Sequence, residues 1–397
     1  MATVIELGAV EGFILDDPVA GVLDNTVYTL GGTVFKDITS RVISATTSRG
    51  KNRDLDRFSS GTLNITASNE DRAFDPNYAS SPYAGAIVPR REVRVTVDGV
   101  RVISTTIDDW NYGYSPDGSS RAEIVATDEF TLLARQVLTA GTATPQLSGA
   151  RVSAVLDMLS VAWPDDKRSI DVGESTLGAD VFAGNALQYL QKISDSEQGL
   201  LFIAKNGDLV FRDRLDATPT TASLTDFTDD GTGIPFTLTA VNYGSELLYN
   251  QAVVTSGELS AQADNDRSQV AYGVTSVELD TLVSTSAQLQ NLADFLVQKY
   301  GDPEYRFETI SVNLDTVGAT EKATCLGLEI GDVVSITFTP NGIGDPIEQY
   351  GQIIRISHEL EPLRHDMFIS VSSLDWTFLV LDDAVFGKLD SNNALAF

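Results

Sequence analysis

The sequence predicts a mainly β protein in which two related β-barrel domains flank a small α+β module. Three observations lead to this fold class. Short runs of alternating apolar and polar residues, separated by turn-forming residues, fill the first 135 positions and return in the last third of the chain. Apolar residues recur at helical spacing between these regions. The two β regions also share an order of turn, alternating strand, second turn and returning strand.

The composition limits the size and the class of the protein. A chain of 397 residues is long for one domain, and its hydrophobic fraction of 42% is enough for more than one core. The net charge of −29 argues against a protein that grips nucleic acid or an anionic membrane, because both need clustered lysine and arginine. A single cysteine excludes an intramolecular disulfide. With no secretory signal or membrane span in the sequence, we expect folding in a reducing cytoplasm.

Residues 1–135 are predicted to form the first β-barrel domain, which includes an N-terminal arm. Turn signals such as Asp98-Gly99 and Pro116-Asp117-Gly118 separate its alternating runs. Several short strands at this spacing are typical of a barrel or a sandwich. The predicted strands are Thr26–Leu30, Gly61–Ala67, Glu92–Val97, Val102–Ile107 and Arg121–Thr127.

Residues 136–215 are predicted to form the α+β module. Helical spacing indicates one helix over Arg151–Val161, which Trp163-Pro164 would end, and a second over Ala183–Ile193. Two apolar runs then flank the turn Lys205-Asn206-Gly207-Asp208, so Gly199–Phe211 is predicted to be a β-hairpin.

Residues 216–372 are predicted to form the second β-barrel domain, with a helix inserted at 286–300. The helix carries leucine, alanine and valine on one face and stops at Gly301-Asp302-Pro303. Strands are predicted at Thr309–Leu314, Val333–Thr339, Gln349–His358 and Met367–Ser373. The shared order relates Pro89–Val97 and Ile103–Trp110 to Gly331–Phe338 and Gly351–His358. Residues 373–397 are predicted to be a C-terminal docking tail.

No motif in the sequence predicts an enzyme, a cofactor site or a metal site. His358 and His365 are seven residues apart with Pro362 between them, so they cannot form the two-histidine helix face of a zinc protease. Cys325 has no histidine nearby in sequence and is expected to be a buried apolar residue. The acidic run after Asp226 lacks the final glutamate of a calcium loop, because Thr237 occupies that place, and is expected to be a polar loop. Acidic pairs such as Asp108-Asp109 are too common here to indicate a hydrolase.

One basic island lies at Arg41–Arg57 in this acidic chain. Its arginines either pair with carboxylates of the same chain or contact a neighbouring subunit, since the arginine fork suits both. The sequence leaves both alternatives open. The candidate subunit contacts are Arg49, Arg53 and Arg57.

Two similar ten-residue segments lie near the two ends of the chain, LDDPVAGVLD from residue 15 and LDDAVFGKLD from residue 381. Such a repeat predicts two copies of one docking segment, which would fit a receptor with repeated symmetry. A proline- and glycine-bearing acidic segment is also a poor helix and a poor central strand, so an extended arm is expected. The candidate docking residues are Leu15, Asp16, Asp17, Leu23, Asp24, Leu381, Asp382, Asp383, Leu389 and Asp390.

Several loop and turn patterns together resemble the minor tail proteins of long-tailed bacteriophages. The resemblance covers most of the chain and implies a baseplate-hub-like fold at the tail tip. The patterns are Leu55–Phe58, Phe74-Asp75-Pro76, Ser81–Gly85, Pro89–Val93, Asp266–Gln269 with Tyr272-Gly273, and Leu328–Val333.

The resemblance implies a homotrimer around the tail axis, in which two barrels per subunit make a pseudo-sixfold ring that caps the sixfold ring of the distal tail protein. The implied partners are the chain itself, the distal tail protein, the tape measure protein and other tail-tip or fibre proteins. The implied location is the virion, after assembly in the host cytoplasm. DNA would only pass through, and we expect an acidic channel that repels phosphate at short range. Three subunits with two docking segments each would present six segments to the sixfold neighbour.

A second hypothesis is a β-rich protein that binds carbohydrate on the host surface. Trp110, Tyr112 and Tyr114 could form its stacking platform, although Trp110 follows an alternating strand and is expected to plug a barrel instead.

Overall fold

The computed structural model describes residues 2–11, 18, 21–22, 33–139, 141–215, 224–374, 377–379, 382, 384, 387–388 and 393–394. Within this part of the chain, no helix is long and apolar enough to cross a membrane.

In the described part of residues 1–135, the first β region contains seven strands and one short α-helix. Its strands alternate inward apolar and outward polar side chains, and core residues face each other across neighbouring strands, as Ile65 faces Ile124. The predicted strands of this region are found, except that Thr26–Leu30 lies outside the described residues. The elements are β1 (Thr3–Glu11), β2 (Thr33–Asp37), β3 (Val42–Gly50), β4 (Ser59–Ser68), β5 (Glu92–Val97), β6 (Val100–Tyr114), β7 (Ser120–Thr127) and α1 (Phe130–Arg135).

The middle module packs two helices on a three-stranded sheet. Two strands of this sheet form the hairpin with the predicted turn, and the third strand pairs in parallel with the second strand of the hairpin. The elements are β8 (Thr142–Ala143), β9 (Gln146–Leu147), α2 (Ser148–Leu156), β10 (Arg168–Ile170), β11 (Thr176–Leu177), β12 (Asp180–Val181), α3 (Ala186–Glu197), β13 (Leu200–Ile203) and β14 (Leu209–Arg212).

Both predicted helix bounds in this module need correction. The first helix ends at Leu156 rather than Val161, because Ala162 adopts a left-handed φ of 48° and the Trp163 amide turns back to the Leu156 carbonyl. Leu159, which was part of the apolar pattern, is 99% exposed. The second helix begins at Ala186, since the Asn185 side chain caps it by accepting from the Gln188 amide, and it continues to Glu197.

The last third contains a second β region and a small unit of its own. In that unit α5, which has the predicted bounds, packs on the sheet β18-β17-β19 and forms a separate core. The acidic run after Asp226 is partly a strand rather than a loop, because Thr225–Thr228 pairs with β21. The elements are β15 (Thr225–Thr228), β16 (Thr237–Tyr243), β17 (Gln251–Ser256), β18 (Leu259–Asp264), α4 (Asp266–Tyr272), β19 (Ser276–Asp280), α5 (Ser286–Tyr300), β20 (Tyr305–Asn313), α6 (Ala319–Gly327), β21 (Val333–Phe338), β22 (Ile347–Glu361), β23 (Arg364–Ser373), β24 (Thr377–Phe378) and β25 (Asn393–Ala394).

The two β regions have the same strand order and are joined in one sheet. The first region runs β5-β6-β7-β4-β3, and the second runs β21-β22-β23-β20-β16. Antiparallel pairing of β22 with β3 joins them, and one hydrophobic core receives residues from both. The relation between the two regions and the mainly β fold with an α+β insertion are therefore confirmed. Closure of either region into a complete barrel stays a prediction, since the pairings among described residues leave both open.

Candidate functional site

The seam between the two β regions lies where β3 runs beside the second half of β22. Ser48 is opposite Ser357, and their hydroxyl oxygens are 3.1 Å apart. On the same side, the Arg355 Nε donates to the Ser48 hydroxyl at 2.9 Å. Gly50 ends β3 at the seam with a φ of 121°, and a Cβ there would lie 2.2 Å from the Ile354 carbonyl oxygen. The seam therefore depends on a glycine at this position.

A buried ion pair beneath the seam ties all three parts of the chain together. The Arg49 side chain is 4% exposed and donates to the Glu329 carboxylate at 2.7 Å. Glu329 also accepts from the backbone amide of Lys205 in the middle module, at 3.0 Å. The Lys205 ammonium in turn donates to the Gly327 carbonyl at the end of α6, at 2.7 Å. These contacts fix the module against both β regions.

Two histidines lie together beside this ion pair. The Nδ1 of His358 and the Nε2 of His365 are 2.9 Å apart, and both rings are buried. Only one proton fits between these nitrogens, and burial lowers the pKa of His365 to about 4 and that of His358 well below its usual value. Among the described residues, no group of three or more His, Cys, Asp or Glu side chains is placed to hold a metal ion.

The basic island occupies β3 and the loop that follows it, and each of its three candidate arginines has a carboxylate partner in the same chain. Besides the Arg49 pair, Arg53 lies 2.6 Å from Glu246, and Arg57 lies 2.6 Å from Asp195 on α3. This is the intrachain alternative that the sequence left open. A contact of these arginines with a neighbouring subunit stays a prediction.

The centre of the loop is a buried charge cluster. Asp54 lies 2.9 Å from the Lys299 ammonium and accepts from the Tyr300 hydroxyl, both on α5. Burial alone would raise the pKa of the Asp54 carboxyl, but the ammonium groups of Lys299 and Lys51 hold it far below its usual value. The loop thus links the seam to α3 and α5, across a cavity of about 220 Å³.

A mainly polar surface, with Val125 and Phe368 as its apolar members, covers the outward side of the joined sheet, opposite the shared core. On β3 and β4 it carries only hydroxyl and amide side chains, and charged groups enter on the flanking strands. We call it the polar sheet face, and it comprises Asp109, Arg121, Glu123, Val125, Thr127, Thr62, Asn64, Thr66, Thr46, Ser48, Arg355, Ser357, Glu359, Phe368 and Ser370.

The other residues singled out in the sequence lie away from the seam or outside the described residues. Trp110 and Tyr112 are partly buried against the shared core, and only Tyr114 is mostly exposed, so the structure shows no three-ring stacking platform. Cys325 is buried, and burial raises the pKa of its thiol to about 12. The docking residues lie outside the described residues except Asp382, which is exposed with a φ of 65°.

Half of the seam could be predicted, since Arg355 and Ser357 lie in the predicted strand Gln349–His358. No strand was predicted over Val42–Gly50, because its inward residues after Ala45 are Thr47 and Arg49 and the run lacks an apolar alternation. Lys205 was predicted only as a turn residue, and Glu329 had no predicted contact. The shared order of the two β regions was the available signal, because the strand order of one region implies a strand at the same place in the other.

No protein-family profile matches the sequence, and no curated protein matches it. Solved structures do share the fold. The 43 kDa tail protein of prophage MuSo2 from Shewanella oneidensis aligns with a TM-score of 0.56 and 15% identity, over 94% of this chain and 98% of that one. The tail protein from Neisseria meningitidis MC58 aligns with a TM-score of 0.60 and 12% identity, over 94% of this chain and 96% of that one. The chain therefore has the fold of these two tail proteins over 94% of its length.

Proposed function

We propose that the chain is a structural protein of a phage tail, and that it forms the hub at the tail tip as a homotrimeric ring. The observation that carries the proposal is the repeated strand order within one chain. Two equivalent units per chain, in three copies around an axis, give six similar units, which suits a sixfold neighbour. The tail-protein fold supports the same conclusion.

The polar sheet face is the surface that we assign to the channel. It crosses both β regions, and its central strands offer DNA no cation. Its three carboxylates, Asp109, Glu123 and Glu359, stand against Arg121 and Arg355, so this proposal replaces the acidic channel expected from the sequence with a polar channel of nearly neutral charge. Hydroxyl and amide groups at the centre, with a net charge of −29 on the chain, would let phosphate pass without a counterion-releasing contact. The ring in this proposal caps the tail tube, joins the distal tail ring and holds distal receptor-binding components.

The remaining assignments of this proposal concern partners. The six copies of the repeated ten-residue segment dock the distal tail protein. Deleting residues 381–397 should therefore leave the trimer folded and weaken its attachment to that neighbour. Tape measure protein and fibre proteins are the other expected contacts, and assembly takes place in the host cytoplasm. The protein carries out no chemistry in this account.

Two measurements on the purified protein test the proposal. Mass photometry should give the mass of three chains, and a population of monomers alone would contradict the hub. The triple variant Thr46→Lys, Thr62→Lys and Asn64→Lys should retain double-stranded DNA that the unaltered ring does not. The matched control Leu159→Lys, Val172→Lys and Val181→Lys adds the same charge at exposed sites of the middle module and should not retain it. Equal retention by both variants would contradict the channel assignment.

A further inference from the structure

The two β regions share one irregularity in equivalent ladders. The ladder β22·β23 shifts register between Ile353 and Arg355, and the ladder β6·β7 shifts register between Ile107 and Asp109. In each region, the apolar residue before the bulge faces a core residue of the next strand, Val371 or Ala126. Bulges are specific features of a strand, so the two long strands can be aligned residue by residue from this point.

The aligned strands β6 and β22 differ in which strands pair with the edge opposite β7 and β23. In the second region, β21 pairs only with Ile347–Gln352 of β22, and β3 pairs with the same edge beyond the bulge. In the first region, β5 covers only residues 100–106 of β6. Beyond its bulge, Asp109–Tyr114 pairs with β7 alone among the described strands. Among the described strands, none fills this edge in the first region, whereas β3 fills it in the second.

The strand that would fill that edge is also present, and only one of its two sides pairs with a strand that the structure describes. The counterpart of β3 in the second region is β16, which pairs with β20 and with no other described strand. Unpaired edges with uncovered aromatic residues are unusual on a soluble protein surface. Tyr114 on the first edge is 55% exposed, and Tyr243 on the second is 68% exposed.

We propose that β16 of one copy pairs with the open edge of β6 in the next copy, in the register that β3 and β22 have within the chain. This pairing rests on the proposed trimer, and it adds how the ring closes. Three seams within chains would alternate with three seams between chains, and the polar sheet face would continue around the ring.

The alignment also gives the register of the proposed seam. Asn111 is two residues beyond Asp109, as Ser357 is two residues beyond Arg355. Ile65 faces Ile124 and Ile310 faces Ile369, each pair two residues from the aligned bulge, so the next core residues, Leu63 and Phe307, are counterparts. Thr47 is opposite Leu63 and Val241 is opposite Phe307, past two register shifts of the β16·β20 ladder, so Asn242 is the counterpart of Ser48. Asn111 of one copy should therefore lie opposite Asn242 of the next, as Ser357 lies opposite Ser48.

A disulfide between copies tests this register, because facing strand residues are close enough for one and the only native thiol, Cys325, is buried. Chains with Asn111→Cys are mixed with chains carrying Asn242→Cys, reassembled and oxidised, so that any bond must join two copies. We expect a covalent dimer as the main product, and a covalent trimer when both substitutions are on each chain. The pair Ser48→Cys with Ser357→Cys should form a bond within single chains only.

Two controls separate this inference from the proposed function. Asn111→Cys mixed with Tyr243→Cys shifts the pairing by one residue to the opposite face and should give less than a tenth of the bonded product. Tyr114→Lys, at the edge, should weaken the trimer at least tenfold. A trimer by mass that forms no Asn111–Asn242 bond would contradict the edge pairing and leave the hub standing. Monomers alone would contradict both.

Discussion

Replacing Arg49 by methionine should destabilise the protein more than any other change in the basic island. The side chain is almost fully buried, and its removal leaves the Glu329 carboxylate without its cation. Removing one partner of a buried pair costs about 3–5 kcal/mol. Glu329 is 22% exposed and keeps its bonds from the Lys205 and Ile330 amides, which places the expected loss near the lower bound, at about 3 kcal/mol.

Urea unfolding followed by circular dichroism measures this loss as a shift of the midpoint at constant slope. Arg53→Met is the matched control, because the Arg53–Glu246 pair is 60% and 45% exposed and such pairs contribute less than about 1 kcal/mol. The double variant Arg49→Met with Glu329→Leu should recover at least half of the loss, since it leaves no unpaired charge. The reasoning is refuted if Arg49→Met unfolds within about 0.5 kcal/mol of the unaltered protein, the usual range for neutral surface substitutions.

Three further predictions concern groups near the seam and α4. Because the pKa of His365 is lowered in the folded chain, its contribution to stability should be complete above about pH 6.5. This contribution should decline by about 3 kcal/mol as the pH falls towards 4. Urea midpoints measured across that pH range should show the decline, and His365→Asn should flatten it. Gly50→Ala should open the seam and lower the melting temperature by more than 10 °C. In the control Gly113→Ala nothing lies within 4 Å of the added carbon, so the melting temperature should shift by less than 2 °C. Similar shifts in both variants would refute the close approach of Gly50 to the Ile354 carbonyl. Asn250→Ala should lower the free energy of unfolding by about 2–3 kcal/mol and speed amide exchange in residues 265–275. The reason is that the buried Asn250 side chain bonds to Ser268, Gly273 and Thr275. Unchanged exchange would show that other contacts hold this segment.

The elements that could be predicted from the sequence are those whose pattern is local. The bounds of α5 and β5 follow from periodicity and from clear turn residues, and the prediction matches them. The helix predicted over Arg151–Val161 begins at Ser148 and ends at Leu156, although Leu159 continues the apolar pattern. The Trp163 amide bonds to the Leu156 carbonyl and the Trp163 side chain is buried in the core of the module, and apolar periodicity registers neither contact.

The seam could not be predicted because its partners are some 300 residues apart. Arg49 and Glu329 meet only after β3 has paired with β22, and neither residue has a local signature. The basic island was found from its charge, but charge alone did not distinguish partners within the chain from partners in another copy. The relation between the two β regions was visible in the sequence, and it is this relation that locates the open edges of β6 and β16.

The central claim is that three copies form a ring with a channel, and electron microscopy of the purified protein, averaged without imposed symmetry, tests it most directly. The account predicts particles with threefold symmetry, six similar density units around the axis and a central channel lined by the polar sheet face. Particles that average to single elongated monomers, or to a ring whose channel is lined by another surface, would contradict it.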